Sequence, residues 1–131
     1  MRQQIYVNLP VKDLARSTEF FTALGFAFNP QAGDETNAMM IVNDDAFVML
    51  TEEHAFGDYV GAAVADAAST REVSIGLSAA SRDEVDALIA KARAAGAGIG
   101  DLVDRGPMYM QPFIDPDGHR WASIFMDFGQ H

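Results

Sequence analysis

Cysteine is absent from this chain of 131 residues. That excludes disulfides and thiolate metal sites, and it fits a reducing compartment, so a cytoplasmic location is expected. Basic residues are scarce: nine Lys and Arg face nineteen Asp and Glu, a net charge of −10. Affinity for phosphate backbones comes mainly from Lys and Arg, so nucleic acid is not an expected partner, and neither is an anionic membrane surface. The acidic balance reads either as solubility or as attraction for a cationic ligand. No stretch reaches the roughly 20 uncharged apolar residues of a membrane-spanning helix. The N-terminus enters a strand-like pattern within a few residues, leaving no expected room for a signal peptide. Histidine is also rare, with only His54, His119 and His131.

What is present has an order that occurs twice. Ile5 to Leu9 is β-branched and aromatic, as a strand requires, and Pro10 is expected to end it. Asp13 is placed to cap a helix from Leu14 to Leu24 that carries Leu14, Phe20, Phe21 and Leu24 at helical spacing and stops at Gly25. Strands are expected at Phe26–Phe28, Ala38–Val42 and Ala46–Thr51, the last two joined by a turn at Asn43-Asp44-Asp45. The second half repeats β-α-β-β-β. Val73–Leu77 reads as a strand. Ser81 with Glu84 makes a capping box for a helix striped by Val85, Leu88, Ile89 and Ala92 and ending near Gly96. Strands follow at Ala97–Leu102, at Met108–Ile114 and, after the turn Asp115-Pro116-Asp117-Gly118-His119, at Arg120–Asp127. The reading is one α+β domain of two β-α-β-β-β modules forming a curled mixed sheet. Module one covers roughly residues 3–55 and module two roughly 71–128, with a Gly- and Ala-rich linker over about 56–70. One helical turn is expected within Val64–Ala68 of that linker.

Two stretches carry a family resemblance. Tyr6-Val7-Asn8-Leu9-Pro10-Val11-Lys12-Asp13-Leu14-Ala15-Arg16-Ser17, running on to Phe20-Phe21-Thr22-Ala23-Leu24-Gly25-Phe26, resembles the opening of vicinal-oxygen-chelate proteins, the glyoxalase/bleomycin-resistance/dioxygenase-like superfamily. Asp115-Pro116-Asp117-Gly118-His119-Arg120-Trp121 resembles the start of their final strand. The resemblance implies half-barrel modules that make a cup, and a homodimer. It also implies a divalent metal held by His, Glu or Gln at four places. Carried over by motif, those places fall at Tyr6, Met49, Ser74 and Ala122. Ala122 offers no donor, Met49 is a soft thioether, and Tyr6 and Ser74 are poor ligands for hard cations. The neighbouring positions Val7, Val48, Leu50, Ile75, Trp121 and Ser123 do not restore a site. No metal, cofactor or catalytic residue is therefore expected.

Strand parity puts Asn8, Phe47, Thr51, Gly76 and Ile124 on the same faces as those four positions. The candidate ligand-binding lining is Tyr6, Asn8, Phe47, Met49, Thr51, Ser74, Ala122 and Ile124, mostly apolar with isolated hydrogen-bonding groups, as small-molecule pockets use. The alternative is a cup filled by Tyr6, Phe47 and Met49. Met108-Tyr109-Met110 reads either as core or as binding surface, and Trp121, on the parity opposite Ala122, as structural packing between sheet and helix. Glu52-Glu53-His54 is expected as a solvated loop, or else as a proton-transfer group at the cup rim or a metal site outside the family pattern. Three function classes follow. The first is a metal-free binder that sequesters a small molecule, cationic or aromatic, as bleomycin-resistance proteins do. The second is a metal-dependent lyase or extradiol dioxygenase, and the third is a non-catalytic dimerisation or regulatory module.

Overall fold

The computed structural model describes residues 2–128, so His131 lies outside the described residues. The chain forms two compact units, the first ending at Ala65 and the second beginning at Asp66.

The first unit holds β1 (Ile5–Val11), α1 (Leu14–Ala23), β2 (Ala27–Gly33), β3 (Asn37–Asn43), β4 (Ala46–Glu52) and α2 (Glu53–Val60). Its sheet has the order β1-β4-β3-β2, with β1 parallel to β4 and the other pairs antiparallel. Asp13 caps α1 by accepting from the backbone N–H of Arg16 at 3.1 Å. The cap satisfies one of the donors that a helix start leaves open. Phe20 and Phe21 of α1 and Leu24, its C-cap, are buried with Leu9, Val11, Met40, Val48 and Leu50 to form the core of this unit. The β3–β4 turn is closed by Asn43 Oδ1, which accepts from Asp45 N–H at 2.8 Å.

Three expectations fail here. Pro10 does not end β1; it pairs in register with Thr51, and the strand runs on to Val11. Proline is tolerated because β1 is an edge strand of its sheet, where a missing N–H need break no ladder bond. Strand β2 runs past Phe28 to Gly33, through an irregular register against β3. A helix, α2, occupies Glu53–Val60, where a solvated loop and then the start of a linker were expected.

The second unit holds β5 (Ser74–Ser78), α3 (Arg82–Ala94), β6 (Gly98–Ile99), β7 (Val103–Arg105), β8 (Met108–Ile114) and β9 (Arg120–Met126). The sheet order is β5-β9-β8-β6, with β7 also pairing β8, and β5 lies parallel to β9. Ser81 Oγ accepts from Glu84 N–H at 3.1 Å, so the capping serine is in place. Val85, Ile89 and Ala92 of α3 are buried, and α3 packs on β8 and β9. The expected strand Ala97–Leu102 shrinks to Gly98–Ile99, and β7 is an additional strand. Instead of a helical turn over Val64–Ala68, the backbone makes a turn at residues 67–69, closed by Thr70 N–H donating to Asp66 O at 2.8 Å.

The protein is thus an α+β chain with two open mixed sheets, each carrying a helix on one face. Among the described residues no helix is long and apolar enough to cross a membrane.

Candidate functional site

Each sheet has a face turned toward its capped helix and a face turned away. In the first unit, β1 pairs with β4 as Tyr6 opposite Phe47, Asn8 opposite Met49 and Pro10 opposite Thr51. Across β4, Phe47, Met49 and Thr51 face Ile41, Met39 and Asn37 of β3. Residues directly opposite in a ladder share a face. The five lining residues expected in this unit, Tyr6, Asn8, Phe47, Met49 and Thr51, therefore lie together on the face away from α1. Met39 and Ile41 widen its apolar surface. Tyr6 stacks on Phe47 with ring centroids 5.3 Å apart and planes inclined by 17°. The Tyr6 hydroxyl donates to Gln4 Oε1 at 2.9 Å. Phe47 and Met49 are half-buried, whereas Tyr6 remains 49% exposed, so the stack does not seal this face. An open groove along Arg2, Gln3, Gln4 and Asp45 reaches only Tyr6 of the expected lining.

In the second unit, Ser74 pairs with Arg120, Gly76 with Ala122 and Ser78 with Ile124. Opposite them on β8 stand Ile114, Pro112 and Met110. Ser74, Ala122 and Ile124 thus share the face away from α3. Ser74 is exposed, while Ala122, set between Gly76 and Pro112, is buried. Sequence reading did not include Arg120 in the site. It lies on the same face, and its Nη1–H donates to Ser74 Oγ. The signal was its even spacing from Ala122, two residues on, which fixes a shared face in any regular strand.

Met108-Tyr109-Met110 divides between the two faces. Tyr109 points to α3, its hydroxyl donating to Asp86 Oδ1 at 2.7 Å with the Arg82 guanidinium over its ring, while Met108 and Met110 are half-buried on the opposite face. The hydrogen bond to Asp86 raises the Tyr109 hydroxyl pKa above 10.0, since the neutral form is the donor.

Trp121 is structural, as expected. It is fully buried, stacks on Phe113 at 6.2 Å and donates from Nε1–H to Asp115 Oδ2 at 3.1 Å. Asp115 Oδ1 accepts from the backbone N–H groups of Asp117 and His119 at 2.9 and 3.0 Å. Burial raises the Asp115 carboxyl above its usual value, opposed by the nearby His119 and by these donors. The Asp-Pro-Asp-Gly-His turn is therefore a packed polar knot, with His119 part of it and buried. His54 sits exposed in the first turn of α2, and its neighbour Glu53 lies 4.0 Å from Lys12.

The four positions to which the resemblance assigns metal ligands carry poor donors for a hard cation. Ala122 has no donor atom, and Met49 is ill suited to a hard cation. Ser74 Oγ already accepts from a guanidinium, whose positive charge opposes a divalent ion beside it. Among the described residues no group of three or more His, Cys, Asp or Glu is arranged to hold a metal ion.

The comparisons with known proteins agree with this architecture. Residues 3–43 match the family model described as bleomycin resistance protein-like N-terminal. A hypothetical protein of S. aureus is 28% identical, covers 95% of this chain and 94% of its own, and superposes with a TM-score of 0.81. A glyoxalase/bleomycin resistance protein/dioxygenase family enzyme from Burkholderia phytofirmans PsJN shares 15% identity with a TM-score of 0.79, covering 94% of this chain and 98% of its own. The chain thus has the fold of the glyoxalase/bleomycin resistance protein/dioxygenase structures, and its first 43 residues include a bleomycin resistance protein-like segment. Solved fosfomycin resistance proteins also share this fold. The one from Mesorhizobium loti has 13% identity and a TM-score of 0.70, covering 98% of this chain and 95% of its own. No curated protein matches the sequence.

Proposed function

We propose that this is a vicinal-oxygen-chelate protein that binds and sequesters a small molecule without using a metal, in the manner of a bleomycin-resistance protein, and that it works as a homodimer. The observation that carries the reading is the second unit's replaced site. Ala122 contributes no donor, and the Arg120 guanidinium is bonded to Ser74 Oγ. The sheet faces away from α1 and α3 combine apolar side chains with isolated hydrogen-bonding groups, a mixture suited to a flat or apolar ligand. The match of residues 3–43 to a bleomycin-resistance model supports the same reading.

Elemental analysis after incubation with Ni, Zn, Mn or Fe(II) is expected to find no stoichiometric metal. Thermal shifts produced by a panel of small aromatics should persist after EDTA treatment. Binding to the folded state alone raises stability by about 2.7 kcal/mol at a hundredfold excess over Kd, which is readily measured. One tightly held metal per chain, with ligand response only when it is present, would return the protein to the metalloenzyme class.

Open sheet edges and exposed apolar side chains such as Ile5 at 59% and Phe128 at 71%, surfaces that proteins generally cover, support the dimer. Light scattering at micromolar concentration should give twice the chain mass; a single species of monomer mass would refute the dimer.

A further inference from the structure

The charged residues within strands are sorted by face. Among the described residues only Glu52, Asp104, Arg105 and Arg120 are charged and lie in a strand. Glu52 is in register with Val11, which has the parity of the α1 side. Asp104 is in register with Tyr109, which bonds Asp86 of α3. Both carboxylates thus belong to helix-side faces. Arg105 stands opposite Met108, and Arg120 stands opposite Ile114 and Ser74, on the face turned away from α3. In a chain of net charge −10, this face bears cations and no carboxylate at any strand position.

We propose that this face of the second unit recognises an oxyanion, a carboxylate or phosphoryl group on an otherwise apolar small molecule, through Arg120 and Ser74. The proposal rests on the binding reading above and gives the ligand its charge. Net charge by itself favoured a cationic substituent. Screening at 0.15 M acts over about 8 Å, however, so groups in contact with the ligand outweigh carboxylates on distant helices and loops.

Arg120 is half-buried and donates to Ser74 Oγ, and among the described residues it has no carboxylate partner. A guanidinium has five N–H donors in a rigid fork, so further donors remain after that bond. Accepting from Arg120 also leaves the Ser74 hydroxyl its own proton to donate. Two adjacent donors of this kind suit the paired oxygens of a carboxylate or phosphate. Beside them the floor is low and apolar. Gly76 lies next to Ala122, and Ile124 Cδ1 comes within 2.9 Å of where a Gly76 Cβ would stand. Ile124 therefore leans over the glycine and continues the apolar surface toward Met110, its partner on β8. Arg105 lies near the other end of the sheet, level with Met108 and Met126. At about 3.3 Å per residue that is roughly 20 Å from Arg120, too far to share one small anion.

The test titrates four probes of one shape by calorimetry at low salt: 1-naphthoate, 1-naphthyl phosphate, neutral 1-naphthalenemethanol and the cation 1-naphthylmethylammonium. The full chain is used as wild type, Arg120→Gln and Arg105→Gln. At least one anionic probe should bind about tenfold or more tightly than the cation, and the tighter anion identifies the head group. Arg120→Gln should weaken that anion by about ten- to a hundredfold, as expected on losing charge-assisted hydrogen bonds, and leave the neutral probe within about twofold. Arg105→Gln should leave all affinities unchanged. If Arg120→Gln loses its native circular dichroism, Arg120→Lys replaces it, keeping the charge, losing the fork and weakening the anion several-fold. Binding in which the cation equals or exceeds the anions, or an anion affinity untouched at Arg120, overturns the oxyanion inference and leaves the small-molecule reading standing. Absence of binding by all four probes removes both.

Discussion

Trp121→Ala is expected to remove about 3–5 kcal/mol of stability, the usual range for deleting a fully buried aromatic ring. Against a typical total of about 5–15 kcal/mol, that leaves a marginal or unfolded protein. The ring is completely buried, lies nearly parallel to Phe113 at 8°, and supplies one of the donors to Asp115. Trp121→Phe separates packing from hydrogen bonding, because it keeps a ring over Phe113 and deletes only the N–H. The loss should then be about 1–3 kcal/mol near neutral pH, the cost of orphaning one contact of a buried carboxylate. The pH dependence gives a second check. The folded Asp115 carboxyl is already raised above its ordinary 3.8 by burial, and removing the indole donor raises it further. A group with a raised folded pKa contributes stability that is present at low pH. That contribution falls away as pH climbs from the ordinary value through the folded one. The Trp121→Phe deficit should therefore shrink toward pH 3 and reach its full size once Asp115 is ionised. Urea titrations followed by circular dichroism measure this, since the variants have lost the single tryptophan. A deficit independent of pH would mean that the Asp115 bond carries none of the loss.

Gly118→Ala should cost about 3 kcal/mol or more, although it adds a single methyl group. Gly118 has φ +93°, where a side chain is strained. A Cβ there would stand 2.8 Å from Ala68 N and 2.9 Å from Ala68 Cα. Those are backbone atoms of the turn before β5, so no rotamer change relieves the contact. Arg71 fastens the same segment, its Nη2–H donating to Gly118 O at 3.1 Å. Gly61→Ala is the internal control. Gly61 has φ +72° and nothing within 4 Å of its would-be Cβ, so only dihedral strain of about 1 kcal/mol applies. Equal losses in the two variants would mean that the steric contact with Ala68 carries no weight.

Asp13 and Ser81 cap their helices as read, because capping joins a side chain to a backbone N–H three residues on, within one local pattern. The sharing of a face by Tyr6, Asn8, Phe47, Met49 and Thr51, and by Ser74, Ala122 and Ile124, is likewise legible, since side chains alternate along any strand. Pro10 was misread as a strand end because tolerance of proline depends on which neighbour the strand has, a fact outside its own segment. The helix Glu53–Val60 was missed because it begins without a side-chain cap, directly on the last residue of β4.

By itself, then, the sequence determined that a strand, a helix and a run of further strands occur twice, together with the capped helices and the tight turns. All of these rest on chemistry within a few residues or on strand period. Tertiary structure decided the rest. Only pairing of β5 with β9 brings Ser74 to Arg120, forty-six positions apart, and only folding the 67–69 turn onto Gly118 makes that glycine obligatory. That strand pairing and the pairing of β7 with β8 put the strand arginines on the face away from α3, while the acidic excess lies almost wholly outside the strands. Net charge is a sum over the whole chain and carries no position, whereas a bound ligand responds to the few groups within its contact distance.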